Sequence, residues 1–391
     1  MAKKLIILGS TGSIGRSTLK VINKNKSRFK ILLLTTNNNI VKILKQAIKF
    51  NVKKIVVGNK DKFKKLSYLF KNRKIKVYFN ITEALKTLKI KSDFTICSIS
   101  GIDGLEPTIN AIKFTKNLGI ANKESIICGW KFIKRDLDKY KTNFIPLDSE
   151  HFSIWSLLNH ENKKNIKKIY LTASGGPFLK RRLSDLKNIK PKYALRHPNW
   201  SMGKKISIDS ATMMNKIFEV IEAKKIFNLD ADKFQILIHP KSYIHAIIHF
   251  QTGITKILAH KTTMEIPIIN YLHKNKEKFV YDDSNFDFKK LNGNNFLKPD
   301  EKKFPLLKIL KYKYNNTFFE IILVTINDTL VNLYLENSIK YINIHELLIS
   351  LLKKSYFTRY YKVEPKNINE IKNMILKVKI FMNKYLNKYG T

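Results

Sequence analysis

The stretch KKLIILGSTGSIGRSTLKVI, residues 3–22, decides the fold. An apolar run ends at Gly9, and Gly12 and Gly15 follow before a segment with helical spacing. Glycines so spaced let the chain turn tightly after a strand and bring amides at a helix start against a diphosphate, where the helix dipole also favours negative charge. Thr11, Gly12, Ser13 and Ile14 form the candidate cradle. The spacing is G-x-x-G-x-x-G rather than the commoner G-x-G-x-x-G, so the position between strand and helix carries the reading. A glycine-rich structural turn is the plain alternative.

Outward from this turn, residues 1–147 alternate short apolar runs with helix-patterned segments. KLIIL, FKILLLTT, KKIVVG, DFTICSIS, NLGIA and NFIPLD read as buried strands and predict an α/β fold, a doubly wound, Rossmann-like parallel sheet that binds a nucleotide. Residues 148–273 read as an α+β catalytic domain, with strands KIYLTAS, FQILIH and YIHAIIHF between loops rich in Gly, Pro, His and Ser. The polar residues 274–303 read as a linker and 304–391 as a C-terminal helical bundle. There Asn343 and Glu346 resemble a capping box, and Ile371, Met374, Ile375, Val378 and Met382 make one apolar face.

The second strand runs into Asn37, Asn38 and Asn39, where an NAD site usually carries an acid for the ribose hydroxyls. A carboxylate there would repel a 2'-phosphate, so its absence favours NADP. Lys42 is the nearest cation in sequence.

Composition narrows the function classes. The 391 residues carry 74 Lys+Arg against 30 Asp+Glu, formally +44, a balance that would suggest nucleic acid. Most of it is Lys spread from Lys3 to Lys388 among Ile and Asn, whereas a nucleic-acid surface concentrates Arg and aromatics in a patch, so no specific nucleic-acid partner is expected. No apolar run approaches the roughly 18 residues of a membrane span. With no leader ahead of the first strand-like run, the expected location is cytoplasmic. Cys97 and Cys128 show neither disulfide nor zinc spacing and read as small buried apolar residues.

A second constellation is PLDSEH, in which Asp148 and Glu150 stand one residue apart. On an extended chain both carboxylates face one point, and hard oxygens suit Mg²⁺ or Mn²⁺. In SIDSATMMNKIFEVIEAKKIF, Ser210 stands where an N-cap belongs, and Asn215, Lys216 and Glu219 share one helical face. Together they can bind a phosphate and a metal; Glu222, one turn on, is a competing ligand. Ser174 with Gly175 and Gly176 offers another anion cradle. RHPNWSMGKK, with His197 and Trp200, reads as part of a lid near 177–203, or else as a loop anchored by its Trp.

In this order, GSTGSIG, ANKES, PLDSEH, SGGPF, RHPNWSMGKKISIDSATMMNK and LIHPKSYIH closely resemble the 1-deoxy-D-xylulose 5-phosphate reductoisomerase family, densely from residue 5 to about 253 and more loosely after it. The resemblance implies a homodimer that uses NADPH and a divalent ion, Mg²⁺ or Mn²⁺ with Co²⁺ as a third candidate, in non-mevalonate isoprenoid synthesis. It implies that Asp148, Glu150 and Glu219 hold the metal. Lys123 would touch a substrate hydroxyl beside Ser149 and Glu150, and Asn122 and Glu124 would lie near the nicotinamide. Ser174, Ser210, Asn215 and Lys216 would hold the substrate phosphate, with His197 on the substrate backbone and Trp200 closing over it. Gly203 would give the end of the lid its freedom and touch the cofactor. The family's usual Gly-Lys-Asn-like sequence is replaced by Asn37–Asn39, which predicts a weaker grip on the 2'-phosphate. The alternatives are another NADP-dependent oxidoreductase, of the semialdehyde or homoserine dehydrogenase type, and a non-catalytic basic binding protein.

Overall fold

A computed structural model of the chain describes residues 2–69, 74–273, 289 and 291–388. Contacts divide it into two compact units, Met1–Ser125 with Lys131–Phe152 and Thr263–Asp282, and Ile126–Trp130 with Ser153–Thr262 and Asp283–Thr391.

The first part of the chain alternates strands β1 (Lys3–Leu8), β2 (Phe29–Thr36), β3 (Lys54–Val57), β4 (Lys76–Tyr78), β5 (Ser92–Cys97), β6 (Thr115–Ile120) and β7 (Asn143–Pro146) with helices α1 (Ser13–Lys24), α2 (Ile40–Lys49), α3 (Lys60–Leu69), α4 (Ile81–Lys86), α5 (Leu105–Ile112), α6 (Lys123–Tyr140) and α7 (Ser149–Leu157). The strands form one parallel sheet in the order β4-β3-β2-β1-β5-β6-β7. This is the doubly wound arrangement that the β-branched runs predict, with its order reversing between β1 and β5, the place where such sheets bind ligands. The three-residue β4 was not among the predicted strands.

The next segment carries β8 (Ile166–Ala173), α8 (Pro191–Ala194), α9 (Lys204–Ala211), α10 (Met214–Phe227), β9 (Phe234–Ile238), β10 (Ile244–Phe250) and β11 (Thr255–Ala259). Its mixed sheet runs β11-β10-β8-β9, with β11 an addition to the predicted set. Then α11 (Glu265–His273) rejoins the first unit, although the expected catalytic domain reached residue 273. The physical reason is a long-range anchor. Buried Tyr271 sets its hydroxyl 2.9 Å from the Thr95 carbonyl and 2.8 Å from that of Asn117, and Lys20 pairs with Glu265 at 2.5 Å. Residues 148–152, also expected in the catalytic domain, belong to the first unit as well.

Of the expected linker 274–303, residues 274–288 and 290 lie outside the described residues. Its later part is anchored: Leu297 exchanges backbone hydrogen bonds with Ile238 at 2.7 and 2.9 Å, and Phe296 stacks on His239 at 5.1 Å. The tail folds as α12 (Phe318–Leu335), α13 (Tyr341–Leu352), α14 (Ser355–Thr358) and α15 (Ile368–Lys388). Ile371, Met374, Val378 and Met382 are buried, as their spacing predicts, whereas Ile375 on the same expected face is half-buried. The cap of α13 differs from expectation: Asn343 lies inside the first turn, where its Oδ1 accepts the Lys340 N–H at 3.0 Å.

Among the described residues, α12 alone is long and apolar enough to cross a membrane, which corrects the expectation that no run approaches that length. It is 72% buried inside the protein and carries polar partners there. Glu320 pairs with Lys225 at 3.0 Å, and Asn327 donates to Asp209 at 2.8 Å. Those bonds belong to a core helix.

Candidate active site

The glycine turn of the first unit is built for close approach. Gly9 has φ +86°, and a Cβ there would come 2.7 Å from the Ser98 carbonyl oxygen; one on Gly15 would collide with the backbone of Gly9 and Ser10. These two glycines are demanded by the fold. Gly12 is not, since its Cβ would meet nothing nearer than the Gly9 carbonyl at 3.4 Å. Gly12 is the N-cap of α1 and offers no side-chain cap, and the first turn holds no acid. By contrast α2, α4 and α6 are capped by Asn39, Asn80 and Asn122. The amides after Gly12 therefore face outward without a side chain covering them, the arrangement an anion uses. The loop is pinned to β2 by Gly9 N–H on Thr35 Oγ1 at 2.8 Å and by the Thr11–Thr36 hydroxyl pair at 2.8 Å.

At the end of β2, Asn39 spends its side chain on capping α2, where it accepts from Lys42 N–H at 3.1 Å. Asn37 and Asn38 are exposed. Sequence order made Lys42 the nearest cation, but the fold brings Lys62 of α3 onto the Asn38 carbonyl at 3.1 Å.

Two strands along the same sheet, after β6, Asn122 caps α6 by accepting the Ser125 N–H at 2.6 Å, while its amide donates to the carbonyls of Ile99 and Gly101. Its side chain thus fastens two loops. Lys123 and Glu124 follow in the first turn of α6, both buried. Lys123 forms a close ion pair with Asp148. Burial pushes the Asp148 carboxyl up, but the Lys123 ammonium and a hydrogen bond from His151 outweigh it and hold the group well below the usual carboxylate range. Asp148 and Glu150 do not lie on an extended chain as expected. The strand ends at Pro146, and Asp148 Oδ1 accepts the Glu150 and His151 N–H groups at 3.2 and 3.4 Å, so the D-x-E motif opens helix α7. Ser149 donates to Glu150 beside it.

In the second unit, Asn215, Lys216 and Glu219 share one face of α10, as their spacing predicts. Asn215 donates to Glu219 Oε1 at 2.6 Å and Lys216 forms a close pair with Oε2, both lysine and glutamate being almost fully buried. Glu222 is buried one turn away. Ser210 does not cap this helix. It lies in the last turn of α9, and Met213, in the left-handed region at φ +64°, separates the two helices. The main chain of Ser210 packs against the Ser174–Gly176 turn: a Cβ on Gly176, at φ +69°, would stand 2.9 Å from the Ser210 carbonyl.

Ser174 Oγ accepts the Gly176 N–H at 3.0 Å and lies 3.0 Å from His197 Nε2. His197 Nδ1 accepts the N–H groups of Asn199 and Trp200 at 3.2 and 3.0 Å, so the proton sits on Nε2 and is donated to Ser174. Both neighbours donate to the Ser174 oxygen, so its own hydrogen is not used in either bond. Asn199 fastens the end of segment 177–203 to Pro240 O at 2.7 Å and Ser242 Oγ at 2.8 Å, and half-buried Trp200 sets its edge to His245 at 6.0 Å. Gly203 caps α9 with an ordinary extended backbone, φ −66°, so no hinge freedom is required of it. A Cβ there would meet nothing within 4 Å, which leaves room for a ligand. The helices carrying these groups are braced from the tail by Tyr341 hydroxyl on Ala211 O at 2.7 Å and by Lys205 between Asp209 and Asp328 at 2.9 and 3.0 Å. No local pattern announces these braces, because the partners lie over a hundred positions away.

A doubly wound sheet with an uncapped glycine turn, joined in one chain to an α+β unit bearing acids, hydroxyls and a buried lysine, defines the class of nucleotide-dependent α/β enzymes. Comparison with known proteins gives the family. The 1-deoxy-D-xylulose 5-phosphate reductoisomerase profile matches residues 5–129, and two C-terminal-domain profiles of the same enzyme match 144–227 and 260–379. The 1-deoxy-D-xylulose 5-phosphate reductoisomerase of Pelagibacter ubique is 52% identical over 375 residues, covering 95% of this chain and 96% of its own, and that of a Sulfurihydrogenibium species is 39% identical over 362 residues, covering 92% and 93%. Among solved structures, a DOX-P reductoisomerase in complex with NADPH, fosmidomycin and magnesium is 30% identical with a TM-score of 0.91, covering 100% of this chain and 99% of that one. The Zymomonas mobilis enzyme in complex with NADPH is 29% identical with a TM-score of 0.85, covering 97% and 98%. The chain belongs to the 1-deoxy-D-xylulose 5-phosphate reductoisomerase family. The dehydrogenase and non-catalytic readings fall with that membership.

Proposed function

We propose that this chain catalyses the NADPH- and divalent-metal-dependent conversion of 1-deoxy-D-xylulose 5-phosphate to 2-C-methyl-D-erythritol 4-phosphate in non-mevalonate isoprenoid synthesis. The observation that carries the reading is the partnering of its acids: Asp148 is held by Lys123 and Glu219 by Lys216, each pair largely withdrawn from solvent. Carboxylates so confined are oriented hard-oxygen donors, the chemistry that suits Mg²⁺, Mn²⁺ or Co²⁺, and Asp148, Glu150 and Glu219 would hold the ion. When bound, the ion offsets charge on substrate oxygens while a carbon-carbon bond breaks and re-forms, and the reduced nicotinamide reduces the resulting aldehyde.

The protein's own groups bind and orient. Lys123, held against Asp148, would touch a substrate hydroxyl beside Ser149 and Glu150. Ser174 would hold the substrate phosphate with Ser210, Asn215 and Lys216, and binding energy gained there positions the distant reacting carbons. His197 holds Ser174 and contacts the substrate, while Trp200 and the rest of 177–203 cover it. The amides of Thr11, Gly12, Ser13 and Ile14 hold the cofactor diphosphate, Asn37–Asn39 line its ribose end, Asn122 and Glu124 lie toward the nicotinamide, and Gly203 leaves it room. The homodimer and the cytoplasmic location belong to the same proposal. The test is direct: purified protein mixed with 1-deoxy-D-xylulose 5-phosphate, NADPH and Mg²⁺ should consume NADPH and form the branched product, and an absence of turnover refutes the reading.

A further inference from the structure

The end of β2 carries neither an acid nor a cation of its own. The fold supplies a cation from another element. Lys62, in the first turn of α3, donates from Nζ to the Asn38 carbonyl at 3.1 Å and is half-buried rather than extended into water. The corner that holds it is tightly made. Gly58 N–H bonds Thr36 O at 2.9 Å and Asn59 N–H bonds Asn37 O at 3.1 Å, drawing the turn between β3 and α3 against the asparagine triplet. The two backbones lie close: a Cβ on Gly58 would stand 3.7 Å from the Asn37 Cα and 2.9 Å from Oδ1 at the tip of its exposed side chain. Asn59 Oδ1 then accepts the Lys62 N–H at 3.0 Å and fixes the first turn of α3. An ammonium has three donors, and the Asn38 carbonyl takes one of them. Asp61, the nearest acid in sequence, is exposed and one position away on the helix, so it does not share the face of Lys62.

Resting on the NADPH reading above, we propose that Lys62 is the specificity-determining residue for the cofactor's 2'-phosphate. Its remaining N–H donors meet the phosphate at the rim where an NAD enzyme would place an acid against the ribose hydroxyls. The asparagines serve as the frame and α3 supplies the charge.

The test is equilibrium binding of NADPH and of NADH, followed by nicotinamide fluorescence without substrate or turnover, for the unaltered protein, Lys62→Gln and Lys62→Arg. Lys62→Gln should weaken NADPH by on the order of tenfold to a hundredfold, the scale of a hydrogen-bonded charge, and should change NADH by less than about twofold. It should also flatten the salt dependence of NADPH binding, and Lys62→Arg should retain the preference for NADPH. Equal losses for both nucleotides, or unchanged NADPH binding in Lys62→Gln, would overturn the assignment. If the unaltered protein binds neither nucleotide, the cofactor reading itself fails and the role of Lys62 falls with it.

Discussion

In the first unit the candidate phosphate seat is made of main chain: amides after Gly12, a strand end and two glycines whose hydrogens are the only side chains that fit. In the second it is made of side chains, Ser174, Asn215 and Lys216, each held by a neighbour through a hydrogen bond or ion pair. A main-chain seat is set by the path of the backbone and tolerates drift in the residues around it. A side-chain seat is set by a hydrogen-bond network and by what braces the helices beneath. The two should break differently, the first by adding a carbon atom and the second by exchanging a single atom.

The largest expected effect falls on the side-chain seat. Glu219→Gln keeps the shape but removes the charge that Lys216 and a metal both need, and kcat should fall on the order of 10²-fold or more. Glu222→Gln, one turn away on the same helix, should change kcat little. A silent Glu219→Gln beside a crippled Glu222→Gln would show that the wrong face of α10 has been assigned.

Next comes the bracing beneath that seat. His345 on α13 is buried with its ring 5.1 Å from Tyr341, the residue that ties α13 to α9, and burial lowers its pKa to about 4. The unfolded chain binds this proton near pH 6.5 whereas the folded protein resists it until about pH 4. The contribution to stability is therefore intact above pH 6.5 and is lost as pH falls toward 4, by ~3 kcal/mol in all. Denaturant unfolding of His345→Leu should show a shallower loss across this window than the unaltered protein, and identical pH profiles would remove His345 as the cause.

The main-chain seat gives a smaller and different signature. Gly9→Ala adds a methyl group against the Ser98 carbonyl at a positive φ and should cost about 1–3 kcal/mol of stability, with NADPH binding weakened. Gly203→Ala meets open space and an ordinary backbone and should leave stability within about 0.5 kcal/mol, so that any change appears in ligand affinity alone. Smallest of all, Asn38→Lys adds an exposed cation at the rim of the first seat. It should tighten NADPH by roughly two- to fivefold, the worth of a solvent-screened ion pair, without affecting NADH. A loss of affinity would mean that the added lysine displaces Lys62 from its place.

What could be read from the sequence follows the same division. The doubly wound sheet was legible because its strands are continuous apolar runs and its turn is written in glycine spacing. The face of α10 was legible because i, i+1 and i+4 are local relations. The helical setting of Asp148 and Glu150 was not, since D-x-E is compatible with a strand end and with the first turn of a helix, and only the chain stop at Pro146 decides between them. The position of Ser210 is hidden for a related reason: SIDSATMMN looks like one cap and one helix, whereas Met213 in the left-handed region makes two. The attachment of α11 to the first sheet rests on Tyr271, and the cation at Asn38 rests on Lys62. Both are long-range contacts that no local pattern encodes. Strands β4 and β11 were missed because KVY and TKILA are short and partly polar, and they take their identity from the strand beside them.

The proposed function rests on Asp148 and Glu219, each partnered by a lysine and largely withdrawn from solvent, serving a divalent ion. The most direct measurement is NADPH consumption with 1-deoxy-D-xylulose 5-phosphate, first with Mg²⁺, then with excess chelator, then with Mg²⁺ or Mn²⁺ restored. Turnover that stops with chelator and returns with either ion is the predicted result. Undiminished turnover in excess chelator would contradict it.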